Sequence, residues 1–236
     1  MEAAGYTTLT RQTGLINELQ VLAHNISNAS TTGFRREGVV FSEYISASRG
    51  EESISMAHAN VRHVDLSQGA LTRTGGKYDL AIQGEGFFLV ATPEGERLTR
   101  SGAFFPSAEG TLVTADGFAL LDSGGAPIPV PTGAKDVSIS KDGTMTADGV
   151  PVAEIALWEP ENPSDLRRQS GTLIMAQGWS PVASGTILQG HLEESNVNTL
   201  SEIARMIEVQ RAYEMGQRFL DSEDQRQKSV LQTLGR

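Results

Sequence analysis

Few residues have types and spacings suited to catalysis. Ser138 and Lys141 fit the Ser-x-x-Lys pattern, in which a lysine amine activates a serine nucleophile in some hydrolases. The companion Ser-Asp-Asn and Lys-Thr-Gly elements are absent from the sequence. The pair also falls in a predicted strand and turn, whereas the hydrolase motif opens a helix. We therefore interpret it as a coincidence of spacing.

Pairs of carboxylates suggest a second chemistry. Glu193 with Glu194, or Asp65 with Asp79, could act as the acid and base of a glycosidase. Sequence alone cannot place two carboxylates across a cleft, and solvated charges or turn residues explain them equally simply. A periplasmic cell-wall hydrolase therefore stays open as an alternative, without a defensible catalytic pair.

Metal and nucleotide signals are also weak. His58 and His63 are close in sequence, but no third ligand is suggested nearby. Gly84-Glu85-Gly86 is half of a dinucleotide fingerprint, without the third glycine or the surrounding βαβ unit. A tight turn before the apolar pair Phe87-Phe88 explains it better. We expect no catalytic residue, no cofactor and no metal.

The bulk composition excludes several functional classes. The chain has 236 residues, a net charge of −10 and no run of Lys or Arg, which argues against nucleic-acid binding. It has no Cys, so disulfides and thiolate metal sites are excluded. No apolar stretch reaches the length of a membrane span, and residues 1–12 lack the pattern of a cleavable signal peptide. We expect no direct membrane insertion.

The N-terminal region is predicted to form an amphipathic helix, from about Thr8 to Asn28. Its apolar residues are spaced by four, three, four and three positions: Leu15, Leu19, Leu22, Ile26 and Ala29. Such a narrow apolar seam is typical of a helix that packs against another helix. We assign residues 1–33 to this helix and its end.

The C-terminal region is predicted to form a longer helix, from about Thr199 to Leu234. Thr199-Leu-Ser-Glu202 fits a capping box at its start. One heptad frame contains Ile203, Met206, Tyr213, Leu220, Leu231 and Leu234. The same frame places Gln210, Gln217, Asp224 and Gln227 where an isolated coiled coil would carry Leu or Ile. Residues 191–236 are therefore expected to pack with several neighbours in a coiled-coil-like domain.

The middle of the chain has the pattern of an all-β domain, over about residues 71–190. Short apolar runs are separated by glycine-containing turns such as Glu109-Gly110 and Asp116-Gly117. Residues 34–70 have weak periodicity and are interpreted as a linker or extended arm. Within them Phe41, Tyr44 and Ile45 suggest a short helix or turn, and 46–59 a mobile arm. The fold class is α+β.

Three stretches of the chain resemble one protein family. Residues 25–35 resemble "ANNxANxxTTGFK", with His24 where the family usually has Asn. Residues 68–75, 78–88 and 98–104 resemble "QGxLxxTGxxxDLAIxGxGFF" and "YTRxGxF". Residues 190–198 and 206–214 resemble "GxLExSNVN…MIxxQRAYE". These are motifs of the bacterial flagellar rod and hook proteins, and they occur here in the family's order.

The resemblance implies a structural role. In this family the terminal helices pair in an inner coiled-coil domain of an axial tube, with the β domain outside. Subunits polymerise helically with themselves and with other rod proteins, forming the motility drive shaft across the periplasm. They leave the cell through the flagellar type III export apparatus, without a cleavable signal peptide. The length and the opening Tyr6–Gln12 favour the proximal rod over the distal rod, which stays the alternative within the family.

Two sets of candidate site residues follow from the helical seams and the resemblance. We expect an assembly interface at Leu15, Leu19, Leu22, Ile26, Ile203, Met206, Tyr213 and Leu220. Phe41 and Ile45 match a pattern that export-gate recognition uses in related substrates, although a packed turn explains them equally well. We also hypothesise that the terminal helices stay unfolded for transport and become ordered when neighbouring subunits bury their seams.

Overall fold

The computed structural model describes residues 2–46, 54–131, 133–182 and 184–234. The chain forms two compact units. The helical unit contains Met1–Ser27, Glu37–His63 and Asn198–Arg236, and the β unit contains Asn28–Arg36 and Val64–Val197. Each unit is thus built from segments that are far apart in the sequence.

The helical unit consists of two long helices and a two-stranded sheet. Helix α1 spans Glu2–Ser27 and helix α2 spans Thr199–Leu234. Strands β1, Glu37–Ser46, and β2, Ile54–Val64, pair with each other.

The interpretation of residues 34–70 requires correction. The expected helix or turn around Phe41 is part of the extended strand β1, and most of the expected linker up to Val64 also lies in strands. Residues 47–53 of the expected mobile arm lie outside the described residues. The pairing of β1 with β2 depends on contacts between two separate segments, which the periodicity of each segment alone does not reveal.

Among its described residues, the β unit has sixteen short strands and one turn of 3₁₀-helix, Pro163–Asp165. The first eight strands are β3 Leu71–Arg73, β4 Leu80–Gln83, β5 Phe88–Thr92, β6 Gly95–Thr99, β7 Phe105–Pro106, β8 Leu112–Val113, β9 Ala119–Leu120 and β10 Val137–Ile139. The other eight are β11 Thr144–Ala147, β12 Val150–Glu154, β13 Trp158–Pro160, β14 Arg167–Ser170, β15 Leu173–Met175, β16 Trp179–Pro181, β17 Thr186–Gln189 and β18 His191–Glu193.

These strands pair antiparallel in several small sheets around one larger sheet. The larger sheet has the order β14-β15-β6-β5-β9-β8-β7, and β10-β11-β12 form a second sheet. The last two strands of the unit, β17 and β18, pair with its first two, β4 and β3. The unit is therefore closed by pairing between its beginning and its end. The predicted α+β class, with a central domain of short strands between two helices, is confirmed.

Apolar side chains cover both faces of strand β5. Phe88 and Val90 belong to the main core, in which the rings of Phe88 and Phe104 pack edge to face with centroids 5.3 Å apart. Phe87 and Leu89 belong to a second core on the other face. Successive strand residues alternate between faces, so this run of four apolar residues holds two layers together.

The segments that flank the helices belong partly to the β unit. Residues 28–33 were grouped with the N-terminal helix and 191–197 with the C-terminal helix, but both segments lie in the β unit. The Gly33 amide donates a hydrogen bond to the Glu193 carbonyl at 2.7 Å, which joins the two segments directly.

Candidate assembly interface

The two terminal helices pack against each other through a small apolar seam. Leu15, Leu22 and Val209 are buried at its centre. Partly buried side chains surround them: Leu19, Met206, Ala212 and Tyr213. The predicted pairing of the helices therefore occurs within one chain.

Polar contacts on either side of this seam fix the position of α2 along α1. Gln12 Nε2 donates to the Tyr213 carbonyl at 2.9 Å. Arg205 Nε donates to Glu18 Oε1 at 2.8 Å, and this bond raises the pKa of Arg205 above its ordinary value. A side chain at Gly216 would collide with the Gln12 amide, because its Cβ would lie 2.1 Å from Gln12 Nε2.

The seam of α2 differs from the heptad frame inferred from the sequence. Met206, Tyr213 and Leu220 are half-buried, but Ile203 is 42% exposed. Val209, which the frame omits, is only 2% exposed. Its position three residues after Met206 and four before Tyr213 is the signal that could have identified it.

This shift explains three of the four polar residues in the predicted frame. Gln210, Gln217 and Asp224 lie in line with Ile203, and all three are exposed. They interrupt no apolar seam, because that side of the helix does not meet α1.

A buried polar group joins both helices to strand β1. Asn25 Nδ2 donates to the Glu37 carbonyl at 2.8 Å and to Glu202 Oε2 at 2.9 Å, and Asn25 Oδ1 accepts from the Glu37 amide at 3.0 Å. All three residues are at most 2% exposed. His24 Nδ1 lies 3.5 Å from Glu37 Oε2. Sequence analysis missed this group because Asn25, Glu37 and Glu202 come from separate segments.

The start of α2 also differs from its prediction. The Asn198 side chain accepts a hydrogen bond from the Ser201 amide at 3.1 Å, so Asn198 supplies the cap that was assigned to Thr199. Glu202 of the expected capping box accepts instead from Asn25 on α1.

Several large apolar side chains of the helical unit remain exposed. On α2 these are Leu200, Ile203, Ile207, Met215, Phe219 and Val230, on α1 they are Leu9 and Ile16, and on β1 Val40. Leu200, Ile203 and Ile207 are spaced by three and four residues, and helical geometry places them on the side of α2 opposite Val209. We call these three residues the outward face of α2.

A buried cluster of three charges organises the β unit. Arg35 Nη2 lies 2.9 Å from Glu193 Oε1, and Arg100 Nε lies 3.6 Å from Glu193 Oε2. The three side chains are at most 3% exposed. Glu193 Oε1 also accepts from the Gly69 amide at 3.0 Å.

The glycine before this cluster allows a close approach of backbones. Gly33 has φ +70°, and a Cβ there would lie 2.2 Å from the Ser101 amide nitrogen. Only glycine adopts this conformation at no steric cost and fits this space. The Thr-Thr-Gly-Phe-Arg stretch is therefore held directly against the segment that carries Arg100.

Burial opposes the charge of both arginines, and Glu193 supports it. Burial lowers the pKa of Arg100 to about 10, against the attraction of Glu193. Burial also lowers the pKa of Arg35, again opposed by Glu193. The guanidinium group of Arg100 therefore remains protonated at neutral pH.

The residues considered for catalysis have other contacts. Glu193 belongs to the buried cluster, Asp65 Oδ1 accepts from the Ser67 amide, and Asp79 Oδ2 accepts from Thr74 Oγ1. Glu194 Oε1 accepts from Thr72 Oγ1 at 2.6 Å. These carboxylates stabilise turns and strand pairing.

The remaining candidates form no recognisable site. Ser138 and Lys141 are both exposed, the former in β10 and the latter just after it. The side chain of His58 lies outside the described residues, and His63 is exposed. Within the described ranges, no group of three or more His, Asp or Glu side chains is arranged to hold a metal ion. No helix among the described residues is long and apolar enough to cross a membrane.

Comparison with known proteins identifies the family. Residues 81–147 match the family model of the flagellar hook protein FlgE/F/G D1 domain, and residues 188–233 match that of the flagellar basal body rod FlgEFG protein C-terminal region. The chain belongs to this family of flagellar rod and hook proteins, and the resemblance seen in the sequence is confirmed.

Full-length relatives narrow the assignment. The flagellar basal-body rod protein FlgF of Caulobacter vibrioides is 37% identical over 243 residues, which cover 100% of this chain and 99% of the relative. FlgF of Rhizobium meliloti is 35% identical with the same coverage. FlgG of Bacillus subtilis is 29% identical and covers 93% of this chain. The similarity thus supports a flagellar rod subunit of the FlgF type.

The first prediction concerns the buried cluster. We expect Glu193→Gln to lower the free energy of unfolding of the β unit by about 3–5 kcal/mol, because it leaves two buried arginines without an anion. The measurement is urea unfolding followed by tryptophan fluorescence, since both tryptophans, Trp158 and Trp179, lie in the β unit.

Glu194→Gln is the matched control for this measurement. It makes the same chemical change one residue later, at an exposed side chain, and should cost less than about 1 kcal/mol. Equal effects of the two substitutions would show that the buried cluster does not stabilise the unit.

The second prediction concerns the helical seam. Val209→Asp buries a carboxylate between α1 and α2, so we expect a loss of helical circular dichroism at 222 nm in the purified chain. Tryptophan fluorescence should stay unchanged, because it reports on the β unit. Val230→Asp, at a 51% exposed position of α2, is the control and should retain the helical signal. An unaltered helical signal in the Val209 variant would argue against this seam.

Proposed function

We propose that the chain is a structural, non-enzymatic subunit of the proximal flagellar rod. It polymerises helically with itself and with neighbouring rod proteins, and the assembled rod transmits torque across the periplasm. The full-length similarity to FlgF relatives supports the proximal position, with the distal rod as the alternative.

The observation that carries this proposal is the outward face of α2. Leu200 is 81% exposed, Ile203 42% and Ile207 46%, although α1 and α2 already bury the opposite side of the helix against each other. A grouped set of large exposed apolar side chains marks a surface that binds another protein. In a rod subunit, the partner is a helix of an adjacent subunit.

The residues proposed for assembly therefore serve in two ways. Ile203 belongs to the outward face and contacts a neighbour directly. Most of the others stabilise the helical unit that presents this face: Leu15, Leu19, Leu22, Met206 and Tyr213. Ile26 and Leu220 are half-buried and extend this second set.

These two roles restrict the hypothesis that the helices become ordered only on assembly, because part of the packing between them does not depend on a neighbouring subunit. Leu15 and Leu22 have an apolar partner, Val209, within the chain, so they need no neighbour to cover them. The seam is short for helices of 26 and 36 residues, and helix stability in proteins comes mainly from packing of an apolar face. Neighbouring subunits therefore complete the burial that stabilises the helical unit.

The third prediction tests the outward face. Ile207→Asp places a charge in the proposed contact between subunits, and we expect the amount of chain in isolated basal bodies to fall at least tenfold. Helical circular dichroism of the purified chain should be retained, because Ile207 lies away from the seam.

Ser222→Asp, at another exposed position of α2, is the control and should be incorporated normally. Normal incorporation of the Ile207 variant, with normal swimming, would refute this interface.

We further propose that the flagellar type III apparatus exports the chain and recognises Phe41 and Ile45. Both residues lie in β1, and their side chains are outside the described residues. Since the backbone of β1 is paired with β2, recognition of this segment has to precede formation of this two-stranded sheet.

The fourth prediction tests export. Phe41→Ala should lower the amount of chain secreted by cells that lack a completed rod severalfold, whereas the cytoplasmic level stays constant. Val40→Ala is the control, since the neighbouring valine falls outside the recognition pattern. Equal secretion of the two variants would remove Phe41 from export recognition.

A further inference from the structure

The β unit contains a cavity beside its buried charge cluster. Its volume is about 410 Å³, within the range of cavities that bind small groups. Arg35, Arg100 and Phe87 contribute buried parts of its lining, and Leu66, Glu85 and Glu159 contribute exposed parts. The cavity thus combines two guanidinium groups, an aromatic ring and an acidic rim.

Part of the hydrogen-bonding capacity of the two arginines is unused. Arg100 Nη2 donates to the Gly84 carbonyl at 2.5 Å, and Arg35 Nη1 donates to the Ser67 carbonyl. Arg100 Nη1 and Arg35 Nε form no hydrogen bond with any group in the described part of the chain, whereas Arg100 Nε faces Glu193 Oε2. Buried donors without acceptors are costly, so an acceptor at this place would stabilise the unit.

The charges lead to the same conclusion. Two buried arginines face one buried carboxylate, Glu193, so the cluster carries an excess of one positive charge. Burial lowers the pKa of Arg100 to about 10, and Glu85 partly offsets this effect. Glu85 is exposed, so water and salt screen its contribution. A buried cation of this kind is stabilised by an anion that reaches it inside the cavity.

We propose that this cavity binds a single carboxylate group on a short aliphatic carrier, such as a glutamate or aspartate side chain. Arg35 Nε and Arg100 Nη1 each donate one charge-assisted hydrogen bond to the carboxylate. Phe87 and Leu66 contact the methylene groups of the carrier. The acidic rim of Glu85 and Glu159 disfavours anions of higher charge.

Two sources supply this chemistry. One is an acidic side chain of an adjacent rod subunit, a source that rests on the proposed function. The other is a free carboxylate of the periplasm. Binding to the purified chain tests the site itself, independently of rod assembly.

The experiment uses two neutral-ended probes that differ in one group, N-acetylglutamate N-methylamide and N-acetylglutamine N-methylamide. Thermal unfolding of the full chain is followed by tryptophan fluorescence at constant ionic strength. We expect a saturable rise in Tm with the carboxylate probe, and at least tenfold weaker binding of the amide probe.

Two variants make the test specific to the cavity. Glu85→Gln removes a negative charge from the rim, so it should strengthen binding of the carboxylate probe about threefold or more. Glu109→Gln removes an exposed charge elsewhere in the β unit and should leave binding unchanged. Absence of saturable binding, equal binding of the two probes, or equal effects of the two substitutions would each overturn the proposal.

A photo-crosslinking amino acid at Leu66, on the exposed rim, distinguishes the two sources in assembled basal bodies. A crosslink to an acidic segment of another rod subunit identifies the subunit source. Probe binding by the purified chain without such a crosslink identifies a free carboxylate. Intact probe binding by a chain that never enters the rod would contradict the proposed function and leave the carboxylate site standing.

Discussion

The β unit depends on one buried carboxylate. Glu193 lies at the end of the unit's last strand, and it binds Arg35 from the segment after α1 and Arg100 from the segment after β6. Removing the anion would leave two buried cations without a partner, which is far more costly than losing a surface ion pair. The cluster therefore explains why residues next to both terminal helices fold as part of the β unit, and why the unit closes on itself.

In the proposed rod, the helical unit has to be ordered and also has to keep a surface for contacts with neighbouring subunits. Its inner seam is small and apolar, and polar contacts such as Arg205 with Glu18 and Asn25 with Glu202 set its register. These contacts decide which side of α2 faces α1. The side left over carries Leu200, Ile203 and Ile207. The same register thus stabilises the helix pair and leaves exposed the surface that we propose for polymerisation.

Sequence patterns predicted the helices and strands that are determined by residues close together in the chain. Apolar periodicity predicts both helices, and glycine-containing turns between short apolar runs predict the strands. The heptad frame of α2 differs from the buried seam because contacts with α1 determine which side of α2 is buried. Asn25 of α1 binds Glu202, and Leu15 and Leu22 of α1 form a cluster with Val209. The β1–β2 sheet and the Arg35–Glu193–Arg100 cluster were missed because both depend on contacts between separate segments of the chain. The family motifs contained Arg35, Arg100 and Glu193, but a motif does not show which of its residues contact each other.

The outward face of α2 is exposed in the single subunit, and in the proposed rod a neighbouring subunit covers it. The chain has no cysteine, so Ile207→Cys introduces a unique thiol. Its maleimide labelling rate would be compared between the purified chain and isolated basal bodies, each normalised to the denatured protein. The account predicts rapid labelling of the purified chain and at least tenfold slower labelling in basal bodies. Equal rates in the two states would contradict it, since Ile207 would then remain exposed in the assembled rod.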